Sequence, residues 1–160
     1  MAPRATLWAS LAIATLVAAS PTDTATIVNS GSTNSYGYSI QVAASGKASA
    51  TLQAKGAAVP NTAKTFTLAP ATVARFFEDL AAARKGNAES IPCMKSVSFG
   101  TTVHITWQGW VSPDLSCPPK DALGAALVKD VDEIRQASGM AAMPLRSGGP
   151  IIESTPQRRA

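Results

Sequence analysis

Tyr36-Gly37-Tyr38-Ser39-Ile40-Gln41-Val42 alternates apolar with small or polar side chains at a strict period of two. Successive side chains of a strand point to opposite faces, so this pattern predicts a strand buried on one side and open on the other. Ser45-Gly46-Lys47 then predicts a turn. Residues 48–54 predict the returning strand, with Leu52 and its flanking alanines on one face and Ser49, Thr51 and Gln53 on the other.

Working outward, Pro70 suits the first position of a helix, where its missing N–H has no intrahelical partner to lose. Val73, Phe76, Phe77 and Leu80 follow at i, i+3, i+4 and i+7, one apolar stripe, and Arg84-Lys85-Gly86 suits a helix end. Ala69 is a weak cap. Residues 93–110 read as a second hairpin, with Val97, Phe99, Val103, Ile105 and Trp107 inward and a turn at Gly100-Thr101. Asp121 caps a second helix with the stripe Leu123, Leu127, Val131 and Ile134. Residues 24–29 read as an optional leading strand. The order β-β-α-β-β-α predicts an α+β domain: one antiparallel sheet of two hairpins with two amphipathic helices on one face. Residues 24–139 make the domain, and 140–160 read as a disordered tail.

The run Tyr-x-Tyr-Ser-Ile-x-Val from Tyr36, with Leu-Ala-Pro-x-x-Val-x-x-Phe-Phe-x-x-Leu from Leu68, resembles small exported bacterial domains of uncharacterised function. In those, a second hairpin, a Cys-Pro loop and a closing helix follow. The resemblance spans residues 25–138. It implies export and architecture, and it carries no catalytic residue across.

The 160 residues contain 46% apolar and 15% charged side chains, enough for one cored domain. Met1 to Ala19 reads as a secretory signal: Arg4 stands before an apolar stretch, and Val17-Ala18-Ala19 suits a signal peptidase. That stretch is short against the roughly 20 residues of a membrane span, and no span is expected in the mature chain. The product is expected in the periplasm or the medium, where Cys93 and Cys117 pair as a disulfide. The net charge of +4 belongs to the ends: residues 20–139 hold ten basic and nine acidic side chains, leaving +1. A concentrated basic surface for nucleic acid is therefore not expected.

His104 is the one histidine of the sequence, which restricts triads and metal centres, and neither a metal nor a cofactor is expected. Glu78-Asp79 and Asp130-x-Asp132-Glu133 read as exposed helix faces. Asp114 sits in the constrained Ser-Pro-Asp-Leu turn, where local hydrogen bonding accounts for it. Ser39, Gln41, Ser49, Thr51, Gln53, Ser96, Ser98, Thr102, His104 and Thr106 form an outward set free of permanent charge. The candidate partner-binding residues are Ser39, Thr51, His104, Trp110 and Asp114. Trp110 either covers the disulfide or stands out as a contact. The expected function is a non-enzymatic binding or envelope-associated domain, recognising an exported protein or an envelope glycan by the open sheet face and the Trp110–Cys117 loop. The alternatives are a small secreted hydrolase, or a protein inhibitor of an exported enzyme with the proline-rich loop as its wedge. Oligomeric state is left open.

Overall fold

The computed structural model describes residues 23–54, 57–96 and 98–140. The signal segment lies outside them, as do Val97 and all of the tail but Met140, which is buried against the core. The strands are β1 (Thr24–Asn29), β2 (Gly37–Ala43), β3 (Lys47–Ala54), β4 (Ala57–Ala58), β5 (Lys64–Thr67), β6 (Val103–Trp107) and β7 (Trp110–Val111). The helices are α1 (Pro70–Gly86) and α2 (Ala122–Ala137). All strand pairs are antiparallel, in the order β4-β3-β2-β1-β6-β7, and β5 pairs with the first half of β3.

The optional leading strand is the centre of this sheet. Ile27 lies between Ile40 of β2 and Ile105 of β6, and all three are fully buried. Ala25, Val42 and Ala48 make the next buried row. Both helices cover this face. Val73, Phe76, Phe77 and Leu80 of α1 join Leu127, Val131 and Ile134 of α2 in one core. Trp107 closes it at one end, edge-on to Phe77 at 6.0 Å, with the Arg84 guanidinium 5.9 Å from its ring. The predicted helix bounds hold. Asp121 Oδ1 accepts from Gly124 N–H at 2.7 Å, whereas Ala69 supplies no side-chain cap.

Four local expectations change. The second hairpin is β6–β7, at the end of the expected 93–110 span, and does not turn at Gly100-Thr101. Its turn is Gln108-Gly109, both at positive φ, the left-handed pair that matches strand twist. Phe99 is 60% exposed in a loop. Tyr36 precedes β2 and is only half-buried. Asp130, expected on an exposed helix face, is fully buried, because it falls three residues after Leu127 and one before Val131.

Asp130 joins the helices. Arg75 Nε of α1 donates to its Oδ1 at 2.9 Å, and Arg75 also pairs with Glu133, which accepts from Thr72 Oγ1 at 2.8 Å. Oδ2 of Asp130 has no hydrogen-bond partner among the described residues. Burial pushes the Asp130 carboxyl up to about 6, and the neighbouring Asp79 adds to the rise against the opposing pull of Arg75. A raised carboxyl stabilises the fold fully below its ordinary value of 3.8 and loses that contribution as pH rises through about 6.

Two outcomes follow for urea unfolding. Ile27→Ala should cost about 2–5 kcal/mol, and Thr26→Ala, on the open face of the same strand, about 1 kcal/mol or less. The stability of Asp130→Asn relative to the unsubstituted protein should improve between pH 4 and pH 7. A difference that stays flat over that range would refute the assignment.

Candidate functional site

The face opposite the helices brings the sequence-chosen polar residues into register. His104 of β6 pairs with Val28 of β1, Val28 with Ser39 of β2, and Ser39 with Thr51 of β3. At a strand spacing near 4.8 Å these four form a row of roughly 14 Å. The next row runs Val111, Thr106, Thr26, Gln41, Ser49 and Thr65. An open groove of about 490 Å³ takes in the end of this row at Gln41, Ser49 and Thr65, together with Thr24, Lys47 and Thr67. Lys47 adds a charge that the alternation of the sequence did not assign to this face. Ser96 and Ser98 belong to the loop before β6 instead.

His104 Nδ1 lies 3.0 Å from the Ser112 carbonyl oxygen, which fixes the ring at the β6 margin. Trp110 pairs with Trp107 across the β6–β7 turn and packs half-buried on the core.

Asp114 has a structural part that spacing could not reveal. Past the short β7, the edge of β6 is met by side chains instead of a strand. Ile105 N–H donates to Ser112 Oγ at 2.9 Å, and Val103 N–H donates to Asp114 Oδ1 at 3.0 Å. Pro113 stands between them. The carbonyls of Ile105 and Val103 accept from Ser112 and Leu115 N–H groups. A sheet edge left open invites another strand, and this arrangement closes it. Oδ1 of Asp114 also accepts from Ser116 N–H at 3.0 Å and from Ser116 Oγ at 2.6 Å. Oδ2 takes the ammonium of Lys95, which also donates to the Thr101 carbonyl and to Ser116 Oγ. Burial works to raise the Asp114 carboxyl, but these donors outweigh it and hold it well below the usual carboxylate range.

Lys95 leads to a surface that the strand assignment hid. Residues 91–96 run without helix or turn, and anchors recur along them. Ile91 N–H donates to the Pro118 carbonyl, and Ser90 bridges to Pro119. Cys93 is bonded to Cys117, with Cα atoms 5.5 Å apart. Lys95 is held by Asp114. Ser96 carbonyl accepts from Gly100 N–H, and a Cβ on Gly100 would stand 2.4 Å from that same oxygen, so only glycine fits. Ser98 carbonyl accepts from Asn34 N–H and Ser32 Oγ. Between Cys93 and Lys95, Met94 projects fully into solvent. Among the described residues four large apolar side chains are exposed, and Ile91, Met94 and Phe99 of this loop are three of them. The signal that could have found Met94 is the cysteine itself: an apolar residue beside a tethered one cannot follow it inward.

Among the described residues no group of three or more His, Cys, Asp or Glu side chains is placed to hold a metal ion. Nor is any described helix long and apolar enough to cross a membrane. Comparison with known protein families, curated proteins and solved structures finds no significant match.

Asp114→Ala should lower the unfolding midpoint by more than Asp114→Asn, which keeps an acceptor for Val103 N–H. Because the carboxyl is depressed in the folded state, its contribution is present above the ordinary carboxylate value and is lost as pH falls. In acid titration the gap between Asp114→Asn and the unsubstituted protein should therefore narrow steadily as pH falls below about 4, while Asp114→Ala, with no acceptor for Val103 N–H, stays below both. Parallel curves throughout would show that the carboxylate carries no such load.

Proposed function

We propose that this protein is an exported, non-enzymatic binding domain that engages a protein partner. Its contact surface is the exposed side chains of Ile91, Met94 and Phe99, with the polar row His104, Ser39 and Thr51 as a second, weaker contact. The observation that carries this reading is that Ile91, Met94 and Phe99, all exposed, fall close together in sequence between α1 and β6, on a stretch anchored at Cys93 and Lys95. Exposed apolar groups have a hydration cost that a partner relieves, and a fixed loop loses little entropy on binding. The disulfide supports an oxidising destination. The acidic residues that a hydrolase would recruit hold the structure together: Asp114 closes the β6 edge, Asp121 caps α2, and Asp130 with Glu133 joins the helices.

Affinity capture from the envelope and culture fluid of the producing organism tests this. The intact chain should retain a specific protein, and Met94→Asp with Phe99→Asp should reduce its capture at least about tenfold. Ser39→Glu with Thr51→Glu should weaken it by less. Circular dichroism should show all three proteins folded. Capture indifferent to the loop variant would overturn the proposal.

A further inference from the structure

Substrates of endopeptidases bind in an extended conformation, with one side chain filling a primary pocket next to the bond to be cut. Residues 91–96 form neither helix nor turn, and Met94 stands fully exposed between two anchored neighbours, Cys93 and Lys95. We infer that this loop is a substrate-like inhibitor of serine endopeptidases with an apolar primary pocket, with Met94 as the inserted side chain. The inference rests on the binding reading above and names the partner class. It moves the inhibitory element from the proline-rich loop to the segment which that loop supports.

The placement of the tethers is the reason. Met94 is fully exposed and unbranched, and it fits a deep apolar slot. Its neighbours on both sides are held to the same short segment: Cys93 by the bond to Cys117, Lys95 by Asp114 and Ser116. In attack, the serine oxygen of the enzyme adds to the Met94 carbonyl carbon. If the Met94–Lys95 bond then breaks, the Lys95 nitrogen takes a proton and leaves as an amine, while Met94 becomes an ester on the enzyme. Water would complete hydrolysis and give a Met94 carboxylate. Here the amine cannot diffuse away, because the Lys95 side chain is clamped to Asp114 and to the Thr101 carbonyl. The acyl half is fixed by the disulfide. The amine thus remains beside the ester at high effective concentration and re-forms the bond in competition with water. An untethered peptide of the same sequence would be cut and released.

The experiment titrates chymotrypsin, subtilisin and trypsin with the full oxidised protein while hydrolysis of a chromogenic peptide is followed. Chymotrypsin or subtilisin should lose activity in proportion to added protein, and trypsin should be much less affected. Met94→Leu should preserve inhibition, Met94→Asp should weaken it at least about 100-fold, and Met94→Lys should transfer it to trypsin. Lys95→Ala, which releases the amine side, should turn lasting inhibition into inhibition that fades as the chain is cut. Activity unchanged at about 10 μM protein, equal inhibition by Met94→Asp, or steady turnover of the intact chain would each overturn the inference. Loss of inhibition alongside Met94-dependent capture of a partner would sink this inference alone. Loss of both would sink the binding reading with it.

Discussion

The carboxylate of Asp114 is the constraint on which the arrangement turns. One oxygen replaces a strand for Val103 of β6, and the other fixes the ammonium of Lys95 in the preceding loop. The same residue thereby ends the sheet and begins the displayed segment. Burial opposes its charge, and the convergence of donors from Lys95, Ser116 and Val103 overcomes that cost. Such a group is satisfied only in one geometry, so the loop and the edge are positioned together. The disulfide acts in parallel. Cross-linking residues 24 apart stabilises by about 3 kcal/mol in the chain-entropy model, and it lies one residue from Met94.

The helices were legible because their stripes are regular and their ends carry ordinary signals, Pro70 at one start and Asp121 at the other. The Tyr38, Ile40, Val42 strand was legible for the same reason. The central strand was not. Residues 24–29 lack large side chains apart from Ile27, and centrality depends on which strands flank it, a long-range fact that periodicity does not encode. The crossover of the chain through α1, from β5 at one edge to β6 beside β1, decides it.

The misplaced hairpin has a more specific cause. Its expected first strand rested on two apolar positions, Val97 and Phe99, and alternation over so short a run does not say whether a partner strand lies alongside. Val97 lies outside the described residues, and Phe99 stands exposed where the chain turns. Pairing by Ser112 and Asp114 side chains is equally invisible to a period-two reading. The candidate face fared better. Ser39, Thr51 and His104 do fall in one row, because cross-strand register follows from which face is buried.

The central claim is that residues 91–96 are held in one conformation before any partner arrives. Backbone ¹⁵N relaxation of the oxidised protein tests it most directly. Order parameters for Met94 and Lys95 near those of the sheet, about 0.8 or above, are the predicted result. Values below about 0.6 at those two residues, with β6 rigid beside them, would contradict it.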